Sequence, residues 1–128
     1  ETNSGGESNS QTNSEETCTT QPLPYALRKP STQQTCNSFD GEICTDKTVT
    51  CSVETHNLEG TNSGLFKIET RILNQNSEQI FLTTESKEIL ENSFEIFTTT
   101  TSFQDSNANQ ELTCFFKTIN VPTEEICF

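Results

Sequence analysis

Six cysteines in a chain of 128 residues constrain this sequence more than any other feature. No two of them form the closely spaced pair that a zinc site needs, because the shortest gap between consecutive cysteines holds 6 residues. An even number of cysteines in so short a chain is typical of a disulfide framework formed in an oxidising compartment. We therefore predict three intramolecular disulfides and no free thiol among Cys18, Cys36, Cys44, Cys51, Cys114 and Cys127.

The low apolar content explains why such a chain needs cross-links. Hydrophobic residues make up 29% of the sequence, which is low for a globular domain. A core this lean offsets only part of the ~1–2 kcal/mol of backbone entropy that ordering each residue costs. Each disulfide restricts the unfolded chain and stabilises the fold typically by ~2–4 kcal/mol. The cysteines are therefore predicted to be structural.

The first 17 residues differ in composition from all that follows. They contain no apolar side chain and no Lys or Arg, and their four carboxylates are Glu1, Glu7, Glu15 and Glu16. A segment with nothing to bury stays disordered in the absence of a partner. We predict a flexible, polar and acidic tail over residues 1–17, followed by a single disulfide-stabilised β domain over residues 18–128.

Alternation of apolar and polar residues with a period of two recurs along the rest of the chain and indicates β-strands. It places Cys51 and Val53 on one face of a strand, and Phe66 and Ile68 on one face of another. Similar segments cover residues 48–55, 65–73, 79–84, 94–103 and 112–121. We predict a mainly β fold, either an antiparallel β-sandwich or a small barrel, stapled by three disulfides. At most one short helix is expected, at residues 85–92.

The same alternation predicts one disulfide pairing. Cys51 shares an apolar strand face with Val53, and Cys114 shares one with Leu112 and Phe116. Cysteines on facing or neighbouring strands can reach the ~5.5–6 Å Cα separation that a disulfide prefers. We therefore predict a Cys51–Cys114 bond and leave the other two pairings open.

Two segments are candidates for contact with a partner. Prolines hold Gln21–Pro30 extended and exclude a helix there; this segment contains the only tyrosine, Tyr25. It is either an exposed recognition arm or a segment that lies across a sheet. Farther along, Asp40-Gly41 between two apolar residues predicts a hairpin, because glycine accepts the positive φ of a tight turn. Aromatic anchors for a protein partner are expected at Tyr25, Phe39 and Phe103.

The sequence lacks the residue sets of an enzyme or a metal site. His56 is the only histidine, so it would have to serve any nucleophile–base pair, and we predict a solvated loop residue instead. Asp40, Glu42 and Asp46 offer oxygen ligands for calcium, but without the regular acidic spacing of a calcium loop. We therefore expect no enzymatic activity, no cofactor and no bound metal.

Several features indicate a secreted, extracellular protein. The absence of methionine predicts that an N-terminal segment, a signal peptide, has been removed. No apolar run approaches the ~18 residues of a membrane-spanning helix. None of the asparagines begins an Asn-x-Ser/Thr glycosylation site. That absence leaves three explanations open: a source without this modification, selection against the sites, or their deliberate removal.

The net charge of −12 limits the classes of partner. An acidic surface repels nucleic acid and anionic lipid, so we expect neither nucleic-acid binding nor membrane insertion. It would steer a basic protein partner towards the molecule. The alternative is that the charge serves solubility alone.

The sequence lacks the signature residues of cystatins, lipocalins and immunoglobulin domains. Its acidic tail, lean core and six cysteines are similar in composition, though not in motif, to secreted effectors of parasites, blood feeders and plant pathogens. We therefore expect an extracellular binding protein that engages a protein partner of basic character, as a host-directed immunomodulatory effector does. Two alternatives remain: a small-molecule carrier with a Phe-lined β-barrel cavity, and a structural subunit of a surface coat or extracellular fibre.

Overall fold

A computed structural model describes residues 16–128 of the chain. Strands dominate it, as the alternation predicted, and short turns join them. The eight strands are β1 (Cys18–Pro22), β2 (Tyr25–Asp40), β3 (Ile43–Asn57), β4 (Gly64–Leu73), β5 (Gln79–Ile89), β6 (Phe94–Phe103), β7 (Thr113–Asn120) and β8 (Thr123–Cys127). One 3-10 turn, Ser106–Asn109, precedes β7.

The strands form two three-stranded sheets and a two-stranded ribbon, all with antiparallel pairing. One sheet has the strand order β2-β3-β6 and the other has the order β5-β4-β7, while β1 pairs with β8. The inward side chains of the two three-stranded sheets pack against each other in shared clusters. The predicted mainly antiparallel β fold is confirmed, and of the two predicted forms it is the sandwich.

The core lies between the sheets and is built from one face of each central strand. Val49, Cys51 and Val53 of β3 are buried, as are Phe66 and Ile68 of β4. These are the faces that the period-two pattern predicted. The buried residues form two clusters, one of Cys44, Val49, Cys51, Ile72, Phe103, Ala108, Leu112 and Cys114, the other of Leu23, Val53, Phe66, Ile68, Ile89 and Phe97.

All six cysteines are paired and no thiol is free, as predicted. The bonds are Cys18–Cys127, Cys36–Cys44 and Cys51–Cys114. The last of these joins β3 to β7 across the core with a Cα–Cα distance of 5.7 Å, so the predicted pairing is confirmed. Three disulfides indicate an extracellular or otherwise oxidising environment.

The predicted hairpin at Asp40-Gly41 is also present. Asp40 pairs with Ile43 across a two-residue turn, and Gly41 has a φ of +67°. That backbone conformation disfavours side chains with a Cβ atom, so the glycine allows the turn to be this tight.

The prediction allowed at most one short helix, at residues 85–92, and this segment forms none. β5 continues through this segment to Ile89, with Glu85 paired to Ile68 and Lys87 paired to Phe66 of β4. The ladder hydrogen bonds and the complete burial of Ile89 outweigh the weak helix preference of this segment. No helix in residues 16–128 is long and apolar enough to cross a membrane.

The β1–β8 ribbon projects from the sandwich with every residue of β1 exposed. At its base Leu23 is buried, and its N–H donates to the carbonyl of Pro122 at 2.9 Å. A Cβ atom on Gly64 would lie 2.4 Å from the Pro122 side chain, so only glycine lets the ribbon approach β4 this closely. Beyond the Cys18–Cys127 disulfide, Thr17 and Phe128 exchange two backbone hydrogen bonds of 2.9 and 2.8 Å.

Most of the predicted tail, residues 1–15, lies outside the described residues. We predict that deleting residues 1–15 leaves the melting temperature unchanged within error, because this segment has no apolar side chain to bury. Circular dichroism melts of the full and shortened chains measure the effect. A drop of several degrees would show that the tail packs against the domain or against a neighbouring copy.

Candidate functional site

Two edge strands from different sheets, β2 and β7, lie side by side along one side of the sandwich. The N–H of Cys114 donates to the hydroxyl of Thr32 at 3.0 Å, and the N–H of Leu112 donates to the side-chain carbonyl of Gln34 at 3.0 Å. Within residues 16–128 no backbone ladder joins these two strands. Side chains therefore hold this seam together where main-chain groups would close a barrel.

The seam opens where β2 is interrupted by an irregularity. The pairing of β2 with β3 shifts between Arg28 and Ser31. Lys29 has a φ of +53°, in the left-handed region that costs a residue with a Cβ atom roughly 1–2 kcal/mol. Pro30 follows, and its ring leaves no N–H to donate. The predicted proline-rich segment thus ends in a bulge that sits opposite β7.

An apolar groove occupies this opening, and we call it the β2–β7 groove. Its volume is about 340 Å³, at the small end of the range of ligand pockets in proteins. Its lining residues are Leu27, Pro30, Val53, Cys114, Phe115 and Phe116. Since Val53 and Cys114 also belong to the core, the groove is a continuation of the sandwich interior to the surface.

The edge of β7 beside the groove offers main-chain hydrogen-bonding groups. Successive residues of a strand direct these groups to opposite edges. The Cys114 N–H points to the β2 side, so those of Phe116 and Thr118 point there as well. Within the described residues β7 pairs only with β4, and the buried hydroxyl of Thr118 has no partner. This part of the edge can accept an added strand.

Cations border the groove although the whole molecule is acidic. Arg71 of β4 is paired in register with Phe115, and Lys117 lies two residues beyond Phe115 on the same face of β7. The carboxylate beside these two cations is Glu69, which is 3.7 Å from Arg71 Nε and paired in register with Lys117. The three side chains sum to +1, against −12 for the chain.

Arg28 and Lys29 of β2 face away from the groove. Arg28 is paired in register with Glu54, and Lys29 Nζ lies 3.7 Å from Glu54, which is on the outer face of β3.

His56 is not the solvated loop residue that we predicted. It lies within β3, on the outer face of its sheet, because the strand extends two residues beyond the predicted end. Its ring stacks on Phe94 with a centroid distance of 4.7 Å, and its Nε2 lies 2.9 Å from Glu54. The hydrogen bond with His56, assisted by the charge of Lys29, lowers the pKa of Glu54. This cluster is a surface ion pair of Lys29 and Glu54, with the His56 ring hydrogen-bonded to Glu54 and stacked on Phe94.

The three predicted partner anchors end up in different places. Tyr25 begins β2 and is 39% exposed, with its ring 6.3 Å from that of Phe66. Phe39 is 65% exposed beside the turn at the other end of β2. Phe103 is only 9% exposed and packs in the core, so it does not offer the accessible anchor that was expected. None of the three lines the groove.

Sequence reasoning missed the groove because it combines residues from three strands. Leu27 and Pro30 were within the segment singled out as extended, but nothing in the sequence placed them opposite Phe115 and Phe116. The adjacent phenylalanines did carry a signal. Two aromatic residues in succession on a strand must face opposite ways, so Phe115 is directed away from the core and is exposed.

Other arrangements of chemistry-bearing side chains offer less. Glu16, Cys18 and Cys127 lie close enough to share a metal ion. The two sulfur atoms are bonded to each other, however, so neither provides a thiolate ligand. Of the nine phenylalanines, only Phe115 and Phe116 line the groove. The groove is therefore not the Phe-lined barrel cavity expected of a carrier.

Neither the protein-family models nor the curated proteins searched gave a match to the chain. The functional proposal below therefore rests on the groove and the strand edge beside it.

Proposed function

We propose that this protein is a secreted binding protein that holds an extended segment of a partner protein at the β2–β7 groove. The observation that carries the proposal is the coincidence of an apolar groove with an unpaired strand edge. In peptide recognition by strand addition, main-chain hydrogen bonds supply affinity and pockets for alternate side chains supply specificity. Both elements occur here within the same few residues of β7.

The surroundings of the groove favour a binding role. The core beneath it is cross-linked by the Cys51–Cys114 disulfide, which holds β7 against β3. A site on such a braced strand loses little conformational entropy when a ligand binds, and that improves affinity. The expectation of a host-directed effector stays a prediction, as do secretion through a signal peptide and the surface-coat alternative.

Selection from a library of random peptides tests the proposal without knowledge of the natural partner. The immobilised protein should enrich peptides that bind in extended form. Their affinity should fall by at least about tenfold, or about 1.4 kcal/mol, in the variants Pro30→Trp and Phe115→Ala. The first fills the groove and the second removes one of its walls. Both positions are exposed, so neither substitution threatens the fold.

Phe94→Ala is the matched control, because Phe94 is a half-exposed aromatic residue on β6 and does not line the groove. This variant should bind the selected peptides as the parent protein does. Failure to enrich any peptide would contradict the proposal, and so would binding that survives both groove variants. Binding of a fatty acid or an apolar dye, with no peptide bound, would favour the carrier instead.

A further inference from the structure

We infer that the segment held at the β2–β7 groove is acidic, with one bulky apolar side chain that enters the groove and carboxylates on either side of it. The inference rests on the proposed function and names the chemistry of the partner segment. It combines the size of the groove, the charges that border it and the exclusion of other occupants.

The groove selects for a single large apolar side chain. Its lining is apolar side chains and a disulfide sulfur, and its volume of about 340 Å³ is too small for more than a short stretch of chain. A polar side chain placed there would lose its hydration without gaining hydrogen bonds, which is costly. Aromatic anchors in such pockets dominate binding energy at protein interfaces.

The border of the groove selects for negative charge on the flanking residues. Arg71 is 41% exposed, and its Nε lies 3.7 Å from the carboxylate of Glu69, longer than a direct hydrogen bond. Lys117, two residues beyond Phe115 on the same face of β7, is also exposed. Both cations therefore retain donors for a partner's carboxylates. Charge complementarity at the rim of an interface raises the association rate and rejects partners of the wrong sign.

Two other occupants fit less well. The chain's own N-terminal tail is acidic, but residues 1–17 contain no apolar side chain to fill the groove. A second copy paired edge to edge through β7 would form a two-fold interface, in which each patch meets itself. Arg71 and Lys117 of one copy would then approach the same cations of the other, and like charges brought together in a sheet are destabilising.

The charge at the border of the groove is thus opposite in sign to the net charge of the chain. The net charge of −12 led us to expect a basic partner. That expectation stays a prediction for the remaining, acidic surface. At the groove itself Arg71, Lys117 and Glu69 leave a net positive border, and contact chemistry depends on charges within a Debye length of ~8 Å at physiological salt.

Two synthetic peptides of equal length test the sign of the charge. Each carries a central phenylalanine in an alternating threonine background, and they differ only in flanking glutamates or flanking lysines. The glutamate peptide should bind at least about tenfold tighter at low salt, measured by isothermal titration calorimetry. Its advantage should shrink as salt rises and the Debye length falls from ~10 Å at 0.1 M to ~3 Å at 1 M.

A matched pair of variants tests where the charge acts. Arg71→Gln and Lys67→Gln each remove one cation from the outer face of β4, but Lys67 lies four residues farther along, about 13 Å from Arg71. The first should reduce the preference for glutamate several-fold, and the second should leave it nearly unchanged. The amide protons of Phe116 and Thr118 should become protected from exchange when the glutamate peptide binds.

Each contrary result overturns a definite part of the reasoning. Equal or tighter binding of the lysine peptide, or equal effects of the two variants, would refute an acidic segment; peptides selected from the library would then still support the groove as a protein-binding site. If no peptide of either charge binds and the library enriches none, both the acidic segment and the proposed function are refuted. The free protein could instead sediment as a dimer, and Lys117→Glu could strengthen that dimer. Those two results together would assign the β7 edge to a second copy of the chain.

Discussion

Replacing both Cys51 and Cys114 by alanine should lower the free energy of unfolding by about 4 kcal/mol. The bond closes a loop with a sequence separation of 63 residues, and the entropy that such a loop removes from the unfolded chain has about this value. Both sulfur atoms also lie in the core, so their loss leaves a small cavity that adds to the effect. Urea unfolding followed by circular dichroism measures the difference.

The Cys36→Ala/Cys44→Ala variant is the appropriate comparison, because it removes a disulfide with a sequence separation of only 8 residues. The same loop-entropy relation gives a loss of about 2.5 kcal/mol for that bond. A domain with a total stability in the usual range of ~5–15 kcal/mol tolerates the second loss better than the first. Equal losses for the two pairs would mean that the inter-sheet bond contributes nothing through its long loop or its burial.

Replacing Phe66 by alanine should cost about 3–5 kcal/mol, the usual range for a large aromatic side chain removed from a core. Phe66 is fully buried on the inner face of β4, in the cluster that also contains Leu23 and Val53. It also supports Tyr25 at the start of β2. The loss is measured as the shift of the urea midpoint multiplied by the slope of the transition.

Phe39→Ala provides the contrast within the same residue type. Phe39 is 65% exposed beside the hairpin turn, so its removal should change stability by no more than about 0.5 kcal/mol. A loss at Phe39 comparable to that at Phe66 would contradict the division of the phenylalanines into core and surface that the fold implies.

The period-two pattern predicted the strands and their buried faces because a strand alternates its side chains regardless of its neighbours. Val53 and Ile68 could be assigned to the core for that reason. Cys51–Cys114 followed from the same rule, since each cysteine lies on an apolar face. The pattern did not show that the strand predicted at residues 79–84 continues to Ile89, because local preferences there are weak and pairing with Phe66 and Ile68 decides the conformation.

Whether a residue near the end of a strand is buried was harder to predict. Phe103 was expected to be an accessible partner anchor, but as the last residue of β6 it pairs with Lys47 of β3, and its ring packs in the core. His56 lies in β3 for a related reason, because pairing with Ala26 and Phe94 extends the strand past its alternating part. In both cases pairing with a strand distant in sequence decides the environment of the residue.

The amino-acid sequence by itself determined the strand faces, the disulfide-bonded state, one of the three pairings and the acidic net charge. Only the tertiary structure placed Pro30 opposite Phe116 and brought Arg71 beside Phe115 at one groove. The physical reason is range: side-chain alternation is a property of neighbouring residues, whereas the contact of β2 with β7 joins residues about 80 positions apart through the packing of two sheets. The sign of the local charge at the groove, and with it the partner we propose, arises from that packing.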